Sequence, residues 1–323
     1  MAALELASES PPLLALMNAV YGRKEYDPFT FAGLHFANRI GLAAGLDKNA
    51  RAVPALTAMG FGFLELGTVT AHAQAANPSP NMFRLPRDRA LINRMGFPNA
   101  GAEALAARIR SAAREVPIGI SIGKSRVVDA NDLEAVAADY AASMHAVCMH
   151  GDFLVINVSS PNTAGLRALQ HAEAARAVFD AVMRANTAAC PVLVKLAPDL
   201  SDADAEASLK VAMSAGLSGA VCSNTTLHRG GLNTPAEDVA RMGAGGLSGP
   251  VLFARTAARV SLARRVLGGD KLLIGVGGVS TPEHVVQLRE AGADLIQVYT
   301  ALVYNGPGVV TQLAHASTLS PSL

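Results

Sequence analysis

From Arg39 onward the chain alternates between short apolar runs and longer alanine-rich stretches. The runs are rich in Val, Ile and Leu and lie at 40–45, 63–69, 118–122, 153–158, 192–196, 220–223, 272–276 and 295–299. Most end at, or just before, a Gly, Ser, Thr or Asn. Unbroken apolar runs of this length fit strands buried on both faces. Eight strand-then-helix units predict an α/β fold, a (β/α)8 TIM barrel. An open doubly wound sheet is the competing arrangement, and the lack of an obvious reversal in the order favours closure.

Before the barrel, 12–21 predicts one short helix, started by Pro11-Pro12 and stopped by Gly22. Leu13, Leu14, Met17 and Val20 are expected on one face. That face either packs on the body or meets a membrane or lipid-quinone. The chain divides into this helical segment, 1–24, and a barrel domain, 25–323. Two connections, 72–98 and 227–249, are long for loops. Both leave from C-terminal strand ends, where long loops serve as lids or binding loops.

Composition narrows the partners. Half the residues are hydrophobic, 16% are charged and the formal net charge is +1, so nothing argues for nucleic acid. Three scattered cysteines make no disulfide framework and fit a reducing compartment. No apolar run reaches transmembrane length, and no secretory signal is visible. His145, Cys148 and His150 lack a carboxylate or second thiol to complete a metal site, and none is expected.

The chemistry gathers at strand ends. Leu154-Val155-Ile156-Asn157-Val158-Ser159-Ser160-Pro161-Asn162-Thr163 runs from buried strand into amides and hydroxyls. That layout reads as a turn, or as a strand delivering polar groups to a site for a planar heterocycle. Ala43-Ala44-Gly45-Leu46-Asp47-Lys48 presents small residues and then a cation. Thr68 ends the second strand, and Asn93-Arg94-Met95-Gly96-Phe97 follows in its loop. Lys195 sits inside an apolar strand, which is costly without an anion. An internal acid is the plain explanation, and a ligand that becomes negative is the functional one. Ser223-Asn224-Thr225-Thr226, Gly246-Leu247-Ser248-Gly249, Gly275-Val276-Gly277-Gly278 and Tyr299-Thr300 complete the set. Glycine backbones in the seventh and eighth units are where barrels bind phosphate. Flavin mononucleotide (FMN) fits such a site.

These motifs, in this order and spacing, resemble the dihydroorotate dehydrogenases, and their class 2, quinone-linked branch in particular, from about Pro28 to the chain end. The resemblance implies an FMN-dependent oxidoreductase acting on a CH–CH bond. It oxidises dihydroorotate to orotate in pyrimidine biosynthesis and passes electrons to ubiquinone or menaquinone. Ser160 would be the base at C5, with Thr163 as relay and Phe97 as shield, while hydride leaves C6 for the flavin N5. Class 1 relatives carry Cys where this chain has Ser160. Lys48, Asn93, Arg94, Met95, Gly96, Phe97, Asn157, Asn162, Asn224 and Thr225 would form the orotate pocket. Ala44, Gly45, Leu46, Asp47, Lys48, Thr68, Ser121, Asn157, Ser223, Gly249, Gly278, Tyr299 and Thr300 would hold the flavin, with Lys195 stabilising its reduced form. Arg84 would meet the quinone.

Three departures stand out. Ser121 and Ser223 replace the family's usual Asn and Thr. The N-terminal region holds one helix where the branch has two, and no His precedes His35 to pair with Arg84. The resemblance further implies a monomer peripheral to the cytoplasmic face of the cell membrane. A class 1-like barrel with a soluble acceptor and a non-catalytic flavin- or pyrimidine-binding protein are the alternatives.

Overall fold

The computed structural model describes residues 1–22, 24–163, 165–170 and 172–318. Arg23 and the end of the expected barrel domain, 319–323, lie outside the described residues. Eight parallel strands close into a barrel in strict sequence order: Ile40–Leu42, Phe63–Val69, Ile118–Ile122, Phe153–Asn157, Val192–Leu196, Gly219–Cys222, Leu272–Val276 and Leu295–Val298. The eighth pairs with the first through Ile296↔Ile40, which excludes the open sheet. The strands are almost entirely buried because helices cover their outer face and side chains fill the interior.

The interior is layered. Phe63, Phe153, Leu193 and Leu295 form an apolar layer at the N-terminal end. A hairpin, Phe29–Phe31 with Leu34–Phe36, plugs that end beneath them. Its turn, Ala32-Gly33, takes positive φ at both residues, the geometry a two-residue hairpin needs. Phe36 meets Phe63 edge-on at 5.6 Å, and Phe63 meets Phe153 at 6.2 Å. Gly41 and Gly119 make room, since a Cβ there would lie 2.3 Å from the Phe63 ring and 2.2 Å from the Phe153 ring. Two residues further along three of these strands come Glu65, Lys195 and Gln297, so the layer above the phenylalanines is partly polar.

The two long connections are not plain loops. The first folds into a hairpin, Met82–Leu85 and Ala90–Asn93, and the second contributes Gly246–Ser248 to the same sheet. This three-stranded sheet roofs the C-terminal end of the barrel. It has its own small core of Leu85, Ala90, Ile92, Val239 and Leu247. Asp88 fastens the two insertions by accepting from Asn233 N, Thr234 N and the Thr234 hydroxyl.

At the N-terminus the expectation of one helix is corrected: there are two, Ala2–Ser8 and Pro11–Tyr21. The first is only seven residues and shows no clear period, so packing rather than pattern makes it. Ala7 is buried, and Ser8 Oγ accepts from Ala55 N at 3.2 Å. The second begins at the tandem prolines as expected, but its apolar residues divide between two faces. Leu14, Met17 and Tyr21 turn inward, while Leu13, Leu16 and Val20 are exposed by 41%, 60% and 60%.

Candidate active site

One cavity of about 1210 Å³, open mouth included, lies between the C-terminal strand ends and the roof. Ala44, Gly45, Lys48, Thr68, Asn93, Met95, Gly96, Phe97, Asn157, Ser160, Asn162, Lys195, Ser223, Asn224, Thr225, Gly249, Gly278, Tyr299 and Thr300 all line it. Residues 254 positions apart in sequence, Gly45 and Tyr299, thus share one wall.

The amides form two hydrogen-bonded pairs, Asn157 with Asn224 and Asn93 with Asn162. Asn157 donates to Thr68 Oγ1 at 2.9 Å and accepts from Ser159 N, Ser159 Oγ and Asn224 Nδ2. Asn224 donates to Ser159 Oγ at 2.9 Å, and Asn162 donates to Asn93 Oδ1 at 3.2 Å. Within each pair one amide orients the other. Ser160 sits among them, only 4% exposed, its Oγ accepting from Asn162 N at 3.3 Å. Arg167 holds this loop from behind: it donates to Ser159 O, Thr225 O and Asp199. Burial alone would raise the Asp199 carboxyl. Hydrogen bonds from Thr226, Leu227 N–H and Arg167 outweigh it and hold the group below the usual range.

Several expected residues stand one step back from the cavity. Asp47 caps the turn after the first strand by accepting from Asn49 N, Arg51 N and Ala52 N, and Leu46 packs against the core beside it. Ser121 hydrogen-bonds Thr68 at 2.9 Å, so it supports a lining residue instead of lining the cavity itself. Arg94 donates to Met242 O and Ala244 O and stitches the roof together. Thr163 is off the cavity wall, with its hydroxyl oxygen buried and without a partner among the described residues. Arg84 faces a second, shallower depression and lies over the Tyr304 ring at 5.7 Å. The arginine on the main cavity wall is Arg89, which bonds Asn305 beside Tyr304.

Lys195 has the internal acid: Glu65 in the second strand, at 3.4 Å. Sequence reading missed it because Glu65 lies inside a run read as wholly apolar. Lys48 is partly buried beside Met95. Burial lowers its ammonium to about 8, with Asp47 pulling the other way. Burial pushes the Tyr299 phenol up to about 12, which keeps it a neutral donor.

The cavity suits a flavin. Gly249, Gly277 and Gly278 take φ of +123°, +132° and +77°, and bare backbone is required there: a Cβ on Gly278 would meet Phe253 N at 2.6 Å. Ser223 Oγ and Gln297 Oε1, both on residues that line the cavity, are buried without partners among the described residues. Buried polar atoms of that kind normally have partners, which a polar planar ligand in the cavity would supply.

Fold and cavity together define an enzyme-type (β/α)8 barrel with room for a large planar ligand beside a small polar one. The chain belongs to the dihydroorotate dehydrogenase family: the family model described as "Dihydroorotate dehydrogenase" matches residues 28–317. It is 48% identical over 309 residues to the dihydroorotate dehydrogenase (quinone) of Rhodococcus opacus, covering 95% of this chain and 85% of that one. Over 291 residues it is 48% identical to the enzyme of that name from Nocardioides sp., with 86% and 82% covered. A crystal structure of the Eimeria tenella enzyme in complex with ferulenol superposes with TM-score 0.81 at 32% identity, covering 96% of this chain and 89% of that one. Family membership carries a flavin cofactor in general.

Proposed function

We propose that this protein oxidises dihydroorotate to orotate, with FMN as the bound cofactor and a membrane quinone, ubiquinone or menaquinone, as the final acceptor. The observation that carries the reading is the set of two amide pairs, Asn93 with Asn162 and Asn157 with Asn224, that line the cavity together with Ser160. Four amides and Thr225 offer both donors and acceptors to a ring of alternating C=O and N–H groups. Lys48 meets the substrate carboxylate. Ser160 takes the proton from C5, and Thr163, whose hydroxyl has no partner among the described residues, relays it. Phe97 closes the route to water. FMN, which Ser223, Lys195 and the Gly249 and Gly278 backbone would hold, would supply the hydride acceptor and the onward electron transfer. Ser160 in place of Cys favours the quinone branch over class 1-like chemistry.

The deciding experiment is anaerobic dihydroorotate oxidation with a short-chain ubiquinone as sole acceptor, beside a run with fumarate. Turnover with quinone alone is expected. Turnover with fumarate alone would overturn the quinone assignment.

The pH dependence follows from Lys48. Its ammonium attracts the substrate carboxylate only below about 8, so kcat/KM for dihydroorotate falls as pH rises through that value. Lys48→Met removes this alkaline limb and costs about 1.5–3 kcal/mol of transition-state binding at neutral pH. A limb that persists in the variant would assign it to another group.

Among the described residues no helix is long and apolar enough to cross a membrane. The outward stripe of Leu13, Leu16 and Val20 supports peripheral contact with the cytoplasmic face of the cell membrane. Replacing the three with glutamine should lower sedimentation with phospholipid vesicles by at least about tenfold. Flavin reduction by dihydroorotate should not change. Unchanged sedimentation would remove the stripe from membrane binding.

A further inference from the structure

Three side chains from three separate barrel strands meet under the cavity. Glu65 and Gln297 are 0% exposed and Lys195 is 4% exposed. Lys195 Nζ donates to Glu65 Oε1 at 3.4 Å, and Gln297 Nε2 donates to Glu65 Oε2 at 2.7 Å. Lys195 and Gln297 line the cavity, while Glu65 lies behind them.

Charge compensation explains the Glu65–Lys195 pair. It does not explain Gln297, whose Oε1 is buried without a partner among the described residues. Leaving a buried amide oxygen unpaired is costly. The usual remedy, flipping the amide, is blocked: an ionised carboxylate only accepts, so the Gln297 NH2 must face Glu65. Its oxygen is thereby turned away from the carboxylate, on a residue that lines the cavity together with Lys195.

We propose that Glu65 is a positioning residue that fixes Gln297 and Lys195 as an acceptor–donor pair, and that this pair reads the pyrimidine edge of the flavin. Gln297 Oε1 accepts from the ring imide N3–H. Lys195 donates to the neighbouring ring oxygen and nitrogen. The inference rests on the flavin reading above. A cyclic imide also occurs in orotate, but the amides that suit orotate lie on other strand ends, around Ser160. The floor pair belongs to strands five and eight, and Gln297 lies two residues before Tyr299, beside the glycine-cradled part of the cavity.

The test is equilibrium binding to the apoprotein, followed by quenching of flavin fluorescence, with FMN and N3-methyl-FMN as probes. The wild type should prefer FMN by about 100-fold, since the methyl group removes the donor and leaves the acceptor buried. In Gln297→Ala the two flavins should bind within about threefold of each other. Gln297→Met, which keeps the volume, should do the same if the alanine variant folds poorly. Glu65→Gln should also narrow the gap, although residue 65 does not line the cavity, because a carboxamide there can donate and so releases the amide of Gln297. A merely structural role would weaken both flavins equally and leave their ratio intact. Orotate affinity of flavin-loaded Gln297→Ala should stay within about threefold of wild type. A preference for FMN that survives Gln297→Ala and Gln297→Met overturns the proposal, as does a wild type that does not discriminate, or a loss confined to orotate. In each of those cases the flavin reading stands. A wild-type apoprotein that binds neither flavin removes that reading and the proposal with it.

Discussion

Ser160→Ala will slow reduction of the bound flavin by dihydroorotate by about three orders of magnitude while leaving flavin affinity close to wild type. The expectation comes from position. Ser160 is buried on the cavity wall, in the loop that Arg167 anchors, and its hydroxyl is held by Asn162 N. Removing one oxygen leaves the amides in place, so substrate binding should persist. A serine hydroxyl is a weak base in isolation, and the Thr163 hydroxyl three residues on, buried and without a partner among the described residues, is the group proposed to take its proton. Anaerobic stopped-flow bleaching of the flavin measures the step directly. A rate within tenfold of wild type would take the base role from Ser160.

Phe63→Ala will lower the free energy of unfolding by about 3–5 kcal/mol. Phe63 joins the hairpin plug to the barrel interior: it touches Phe36 on one side and Phe153 on the other, and the missing side chain of Gly41 seats its ring. Truncation leaves a hole bounded by closed strands on every side, which relaxes little. Urea-induced unfolding of the flavin-free protein gives the value. A loss under about 1 kcal/mol would mean that the plug sinks to fill the space.

The barrel was legible because its strands are buried on both faces, and that burial writes itself as unbroken apolar runs. The lining residues at strand ends were legible for a related reason: Gly, Asn, Ser and Thr interrupt those runs abruptly. What escaped were features made by contacts distant in sequence. Glu65 reads as an oddity within its strand until Lys195, 130 positions later, is placed beside it. Gln297 carries no motif at all. The roof strands look like polar loops, since each has only part of its face against a small core. The bottom hairpin was overlooked although the Ala32-Gly33 turn and the flanking phenylalanines were there to be read. Asp47, Ser121 and Arg94 lie in the right motifs but act on neighbouring backbone and side chains, a distinction that spacing does not encode. The single apolar face expected of the 12–21 helix failed because Leu13 and Leu14, about 100° apart around the helix, fall across its boundary: Leu13 is exposed and Leu14 half-buried.

The roof is assembled from parts of the chain made at very different times. Ala90–Asn93 pairs on one side with Met82–Leu85 and on the other with Gly246–Ser248. A chain leaving the ribosome therefore carries a finished hairpin with one edge open until some 150 further residues have been added. An open edge invites pairing with other chains, and Asn93 and Arg94 at its end, with Arg89 at the turn, are poor templates for it. The lid over the chemistry is thus complete before the last two barrel strands, Leu272–Val276 and Leu295–Val298, are made, and the barrel beneath it closes only after its roof.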